Sequence, residues 1–352
     1  MVGNGFDVSF GIDSSYSSFY KWYCSQESGI AHIDEFRKSI NNEINSDIPP
    51  EERMWADFEV GLGKYTQNFT PDNVDKYLEC HSDAIKNIRK YLVRQEDTFD
   101  IESFSENSFL SFVESLCHFY DEISDVDKIP IKNFLGNNTQ ENRRISFVTF
   151  NYTSTLEKII NQIPEKPLST WQRSGKDYSY LLNRNVIHVH GTTNNSLILG
   201  VNDETQIENK ELLKTPRFKE MMVKAESVEL MGHLWQRDAE KQISQSMFIC
   251  ILGMSIGPTD AKWWKKLVQW LKANSSRRIL LYWFEKEPPE SYNTIEQIRC
   301  IEKAKEKLLS FSVLKTEEKE VLKKQISVII NTPKFLKLTI DSKNEESLNT
   351  AG

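Results

Sequence analysis

The chain of 352 residues is 39% hydrophobic and 27% charged, with a net charge of −7 at pH 7, which indicates a soluble globular protein of one large or two modest domains. The acidic balance argues against nucleic acid and anionic membranes as partners, and no apolar run approaches the roughly 20 residues of a membrane helix. The five cysteines are scattered and include no Cys-x-x-Cys pair, which argues against a disulfide framework and a zinc ribbon. Free thiols and the lack of a signal-peptide pattern at the first residues favour a cytoplasmic location.

The first predicted element is a glycine turn, which holds Gly3, Asn4, Gly5, Phe6 and Asp7. Glycines at the end of a buried strand let the backbone approach a phosphate, and an acidic residue just beyond them can accept hydrogen bonds from ribose hydroxyls. An ordinary glycine–asparagine turn has the same composition. A nucleotide-binding turn also needs a strand of about five apolar residues before it. Because only two residues stand there, we expect a short apolar segment upstream of the first residue.

Residues 16–141 show only helical patterning. Trp55, Phe58 and Leu62 recur at helical spacing, and Phe109, Phe112 and the apolar residues after them do the same. A helical insertion therefore follows the first turn. A second helical stretch, rich in Lys and Glu, is predicted over residues 293–330.

Short apolar runs rich in β-branched residues predict buried parallel strands between the helical segments. These runs cover residues 147–150, 186–189, 197–199, 247–252 and 279–284, with a further candidate at 334–340. Strands separated by helices predict an α/β fold with a mostly parallel sheet. The expected organisation is a nucleotide-binding core of residues 1–15 and 142–285, a helical insertion of residues 16–141, a C-terminal extension of residues 286–340 and a disordered polar tail of residues 341–352.

Polar side chains follow two of these strands at the point where each strand ends. Asn151 comes directly after residues 147–150, and its amide can both donate to and accept from a sugar hydroxyl or a water, although it can equally cap a turn. His190 precedes a glycine and is expected to face a cleft, while His188 is expected to be held in the sheet. The His-x-His spacing also suits a metal, but no supporting ligand motif accompanies it, and we predict no metal.

A third strand ends in the small-residue turn of residues 253–260. Gly253 and its neighbours supply backbone amides, Ser255 supplies a hydroxyl and Asp260 a carboxylate, a set that suits a phosphate and a ribose. The turn lacks the Gly-x-Ser-x-Gly spacing of a hydrolase nucleophile elbow.

Taken together, these motifs resemble the AbiH-type bacteriophage abortive infection proteins. The matching stretches are VGNGFD at 2–7, GIDSSYSSF at 11–19, WADFE at 55–59, FNYTSTLE at 150–157, IHVHG at 187–191 and LGMSIGPTD at 252–260. The family is also distantly similar to the sirtuin-like domains of bacterial defence proteins that destroy NAD. This resemblance implies a Rossmann-like, sirtuin-like, mostly parallel sheet with a large helical insertion and C-terminal helices.

The resemblance further implies NAD as the ligand. Asn151 and His190 would act at the nicotinamide ribose. The remaining site residues would bind the nucleotide; they are Gly3, Asn4, Gly5, Phe6, Asp7, Gly253, Ser255 and Asp260.

Three departures from the sirtuin pattern bear on the chemistry. The four-cysteine zinc module of the deacetylases is absent, so we do not expect removal of acyl groups from lysine. Thr153 stands where an acidic residue often follows the asparagine, so the ribose-orienting carboxylate is either lost or supplied elsewhere, with Asp7 and Asp203 as the candidates. The WADFE segment has no sirtuin counterpart; its aromatic residues are predicted in the core, and Asp57 and Glu59 are secondary site candidates.

The leading hypothesis is hydrolysis of the N-glycosidic bond of NAD to nicotinamide and ADP-ribose during phage defence. Neutral His190 would accept a proton from a ribose hydroxyl, and Asn151 would hold the water or the ribose. The alternative is a sensor that binds NAD or ADP-ribose without turnover. A nuclease and a dehydrogenase are disfavoured, because the sequence shows no carboxylates at metal spacing and no Gly-x-Gly-x-x-Gly. An activity of this kind implies a phage-derived trigger, which one chain cannot identify, and the helical insertion and charged C-terminal helices are candidate surfaces for a homo-oligomer.

Overall fold

The computed structural model describes residues 1–49, 52–137, 142–173, 176–332 and 334–338. Its α-helices are α1 (Asn4–Ser9), α2 (Tyr16–Cys24), α3 (Ala31–Ile44), α4 (Phe58–Tyr65), α5 (Val74–Glu96), α6 (Glu106–Cys117), α7 (Asp125–Asn137), α8 (Thr155–Gln162), α9 (Phe218–Met222), α10 (Lys224–Leu230), α11 (Trp235–Gln245), α12 (Ala261–Lys272), α13 (Thr294–Leu309) and α14 (Thr316–Lys323). Its strands are β1 (Asn142–Ile145), β2 (Val148–Thr149), β3 (Ser169–Arg173), β4 (Lys176–Leu182), β5 (Ile187–His188), β6 (Phe248–Leu252), β7 (Arg278–Trp283) and β8 (Ile326–Ile330).

The strands form small sheets. β2 pairs with β5 in parallel, and β6, β7 and β8 form a parallel set in that order. The remaining sheet has the order β1-β4-β3, in which β1 and β4 are parallel and β3 and β4 antiparallel. The α/β class is therefore confirmed, but one large, uniformly parallel Rossmann-like sheet is not evident.

The first residues of the chain join the two parallel sets. The Val2 amide donates to Val148 O at 2.9 Å, and Val2 O accepts from the Phe150 amide at 2.9 Å. On the other side, the Gly3 amide donates to Leu252 O at 2.9 Å. Val2 forms parallel bridges to both neighbours, so the opening turn leaves the sheet between β2 and β6.

The helices from α2 to α5 build an aromatic core of their own, as the helical pattern predicts. Trp55, Phe58 and Tyr77 are fully buried in it. The segment 197–223 also packs into this core, with residues such as Val201 and Phe218. Residues after the predicted strand 186–189 therefore cover the helical block rather than extend the sheet.

Three strand or helix predictions are wrong. Residues 197–199 form no strand; Leu197 makes a single bridge to Gly191, and the run is apolar because it is buried against the helical core. Residues 326–330 were expected to end a helix but form β8, because a short β-branched run suits either element and here pairs with β7. Residues 334–338 form no strand; residues 339–340 and the tail 341–352 lie outside the described residues.

No helix in the described part of the chain has both the length and the apolar character needed to cross a membrane.

Candidate functional site

Nine of the ten predicted site residues line one cavity of about 420 Å³. Its walls include the opening turn of the chain and the turns that follow β2 and β6. The nine residues are Gly3, Asn4, Gly5, Asp7, Asn151, His190, Gly253, Ser255 and Asp260. Phe6, the tenth, is buried in the core, where its ring packs edge-on against Phe10 with the centroids 4.8 Å apart. The secondary candidates Asp57 and Glu59 line the same cavity. A larger cavity of about 940 Å³ elsewhere is lined by none of these residues.

The glycines of the opening turn allow it to pack directly on the turn after β6. A Cβ atom on Gly3 would lie 2.7 Å from Gly253 O, and one on Gly5 would lie 2.7 Å from Gly253 Cα. The Gly5 amide donates to Gly253 O at 2.8 Å, and the Phe6 amide donates to Gly3 O at 2.9 Å. These two amides and that of Gly3 are therefore used within the protein and are not free to cradle a phosphate.

The turn after β6 has free amides instead. Gly253 has φ of +68° and Ile256 has φ of +49°, so the chain bends sharply here. Within the described parts of the chain, no residue accepts a hydrogen bond from the amides of Met254 or Ser255, and both residues line the cavity. Adjacent unpaired amides in a bend of this kind can hold an anion.

Asn151 braces the opening turn. Its side-chain nitrogen donates to Gly3 O at 3.1 Å, and its backbone oxygen accepts from Nδ1 of His188 at 2.8 Å. Nε2 of His188 contacts the Glu157 carboxylate. Burial alone would lower the pKa of His188, but Glu157 and the Asn151 carbonyl raise it above its usual value. Since both partners are acceptors, His188 carries both ring protons and has no nitrogen left for a ligand or a metal.

His190 has the opposite arrangement. Its Nε2 lies 2.9 Å from Oδ1 of Asp260 and, as that carboxylate only accepts, Nε2 carries a proton. Nδ1 is buried and has no hydrogen-bond partner among the described residues. Burial, together with the charge of Lys224, lowers the pKa of His190 below its usual value. A neutral imidazole with its lone pair on Nδ1 is the result.

Asp7 supplies the carboxylate beside Thr153. The Thr153 hydroxyl donates to Oδ2 of Asp7 at 2.5 Å, while Oδ1 has no partner among the described residues. Burial raises the pKa of Asp7 to about 6, against the lowering effect of the hydrogen bond from Thr153 and of the neighbouring Asn151 amide. Asp203, the other expected source, instead accepts from the amide of Thr205 and does not line the cavity.

Lys224 is a further residue of the site, and no sequence motif predicts it. Its Nζ lies 2.6 Å from Oε2 of Glu59 and 3.3 Å from Oδ1 of Asp260, and the side chain is almost completely buried. Burial opposes ionisation of Asp260, but Lys224 and His190 hold the pKa of Asp260 well below its usual range. A single lysine in a polar helical segment gives no sequence signal of this role.

Asp57 has a local structural role that its position in the sequence explains. Its Oδ1 accepts from the amides of Glu59 and Val60 at 3.0 and 3.1 Å, which caps α4. Glu59, the second residue of the helix that Asp57 caps, lines the cavity and meets Lys224 there. The described residues contain no group of three His, Cys, Asp or Glu side chains placed to hold a metal ion.

Comparison with known proteins identifies the family. The family model described as bacteriophage abortive infection AbiH matches residues 1–283, which include every residue of this cavity. No curated protein and no solved structure matches the chain. The sirtuin resemblance stays a prediction. With a match over most of its length, the chain belongs to the AbiH family of bacteriophage abortive infection proteins.

Proposed function

We propose that the protein acts in abortive infection by binding NAD in this cavity and hydrolysing its N-glycosidic bond. The role in abortive infection follows from the family. The observation that carries the chemistry is His190, whose neutral imidazole has an Nδ1 without a partner among the described residues, in a cavity lined by the strand-end turns. Such turns at the carboxyl ends of parallel strands are where open, Rossmann-like sheets bind nucleotides, which supports the finer fold prediction as well.

The reaction needs little from the protein beyond position and a base. The bond between the ribose C1′ and the ring nitrogen breaks, its electron pair neutralises the pyridinium, and nicotinamide leaves. Water adds to C1′, and the proton that is released, from the water or a ribose hydroxyl, passes to Nδ1 of His190. Asp260 stabilises the imidazolium that forms, because it accepts from Nε2.

Other residues that line the cavity suit different parts of the dinucleotide. The free amides of Met254 and Ser255 suit its diphosphate, a role that the glycine amides at the start of the chain cannot fill. The Asp260 carboxylate, which contacts His190, and that of Glu59 can accept hydrogen bonds from the sugar hydroxyls, which are donors. Asn151 holds the opening turn in place beside them.

The experiment is an assay of nicotinamide release from NAD by the purified protein. We expect His190→Ala to lower the rate by about 10²–10⁴-fold, the usual contribution of a positioned base. His118→Ala is the matched control and should retain the rate, because His118 is an exposed histidine directly after α6. Equal NAD consumption by wild type and His190→Ala would refute the assignment of the base.

One observation favours the sensor as the second candidate. One of the two side-chain N–H groups of Asn151 donates to Gly3 O, so this amide serves to hold the opening turn as well as to face the cavity. A sensor would bind NAD or ADP-ribose tightly and release no nicotinamide over hours. Calorimetric binding measured beside the release assay separates the two candidates.

A further inference from the structure

A buried ion pair in the cavity joins the helical block to the rest of the molecule. Glu59 at the start of α4 is 5% exposed, and Lys224 at the start of α10 is 4% exposed. The ammonium lies 2.6 Å from Oε2 of Glu59, 3.3 Å from Oδ1 of Asp260 and 3.2 Å from Thr259 O. Each of the three N–H donors of Lys224 therefore has an acceptor within the protein.

The second oxygen of the Glu59 carboxylate has no such partner. Among the described residues, none donates to Oε1, although the residue lines the cavity. A buried carboxylate oxygen without a donor is costly, and the cost falls when a ligand supplies the donor. Nδ1 of His190, in the same cavity, also lacks a donor.

The acceptors on Glu59 and His190, which have no donor among the described residues, indicate which chemical group of a ligand would bind beside them. Lys224 is the cation among the described residues that line this cavity, and its charge is already opposed by Glu59 and Asp260. A phosphate, which offers acceptors and negative charge, is therefore disfavoured beside them. A sugar with neighbouring hydroxyls offers two O–H donors close together and no charge.

We propose that Glu59 contacts the ligand directly, with Oε1 accepting a hydrogen bond from a hydroxyl of the sugar that carries the nicotinamide, and that Lys224 is the positioning residue that holds this carboxylate in place. The inference rests on the proposed nucleotide site and adds a contact that the family resemblance does not supply. Asp57 assists by capping the helix that carries Glu59.

The test compares ADP-ribose with ADP by isothermal titration calorimetry, which does not depend on turnover. The two ligands share adenosine and the diphosphate and differ in the terminal sugar. Burial raises the pKa of Glu59 to about 8, against the lowering effect of Lys224, so the titrations are run at pH 9, where the carboxylate is ionised. We expect Glu59→Gln to weaken ADP-ribose binding about 10–100-fold there, the range for a hydrogen bond to a charged group, and to leave the affinity for ADP unchanged. Glu240→Gln is the matched control, because its carboxylate pairs with Lys262 and Lys266 and does not line the cavity.

A second variant covers the case in which Glu59→Gln does not fold because Lys224 is left with a weaker partner. Glu59→Gln/Lys224→Met removes both charges at similar side-chain length, and it should show the same selective loss of ADP-ribose affinity. Equal affinities of a folded variant and the wild type for ADP-ribose, or equal losses for both ligands, would overturn the Glu59 contact while nucleotide binding stands. If the wild type binds neither ligand, the proposed function fails and this inference fails with it.

Discussion

Asp7 is a buried carboxylate whose cost the fold offsets only in part. One oxygen accepts from Thr153, the other has no partner among the described residues, and burial raises the pKa of Asp7 to about 6. Between the ordinary value of 3.8 and about 6, the folded protein keeps a proton that the unfolded chain has released. The free energy of unfolding therefore falls as the pH rises through this window, by at most about 3 kcal/mol.

Replacing this carboxylate with an amide should stabilise the protein at neutral pH. We expect Asp7→Asn to raise the free energy of unfolding by about 1–3 kcal/mol at pH 7.5, and the gain to shrink by about half at pH 5, where the wild type regains its proton. Urea unfolding at both pH values measures the effect. Asp97→Asn, at an exposed aspartate, should stay within about 0.5 kcal/mol of wild type. A gain that did not depend on pH would contradict the assignment to Asp7.

For the secondary-structure elements, the sequence predicts the site residues at the ends of strands but not the contacts between distant helices. Asn151, His190 and Asp260 follow apolar strands, and carboxyl ends of neighbouring parallel strands share one edge of a sheet, so their convergence follows from pattern alone. Lys224 meets Glu59 across 165 positions of sequence only because α10 and α4 pack together. Periodicity within one helix carries no information about such a contact.

The same limit explains the misassigned elements. The β-branched run of residues 326–330 suits a helix or a strand, and its pairing with β7 decides between them. The apolar run of residues 197–199 is buried by helices rather than by neighbouring strands. The sequence pattern predicts phosphate binding for the opening glycines, whereas in the structure they pack against the turn after β6.

That contact between two turns gives a prediction for Gly5. A methyl group there would lie 2.7 Å from Gly253 Cα and would force the turns apart, so Gly5→Ala should lower the free energy of unfolding by about 1–3 kcal/mol. Gly257→Ala is the matched control in the same region, because its nearest new contact is 3.6 Å away. Chemical denaturation of both variants decides the matter. If Gly5→Ala is as stable as Gly257→Ala, close packing of the two turns does not require glycine at position 5.

At the scale of the whole molecule, the candidate site is composite. The helical block contributes Asp57 and Glu59, and the strand-end turns contribute His190 and Asp260. A second buried link ties the same parts together at Glu96, the last residue of α5. The helical block is therefore joined to the strand ends by hydrogen bonds to buried charges, and we expect the two parts to unfold together.

Glu96 provides the test of this coupling. Its Oε1 accepts from the amide and hydroxyl of Ser154 at 2.6 and 2.7 Å, and its Oε2 accepts from the hydroxyl of Thr193 at 2.7 Å. Glu96→Ala leaves the buried Thr193 hydroxyl and the two half-buried Ser154 donors unpaired and should lower the free energy of unfolding by about 3–5 kcal/mol. Native-state hydrogen exchange, read by mass spectrometry on peptides from α5 and β6, should show both elements losing protection to the same extent.

The control for this substitution is Glu79→Ala, on the same helix, because the Glu79 side chain is 59% exposed. Its contact with the His32 ring involves a largely solvent-exposed carboxylate, and contacts of that kind contribute at most about 1 kcal/mol. Loss of protection in α5 alone after Glu96→Ala would mean that the helical block opens independently of the sheet. The helical block could then move Glu59 without unfolding the part of the cavity that holds His190. Loss of exchange protection in both α5 and β6 argues against such a motion.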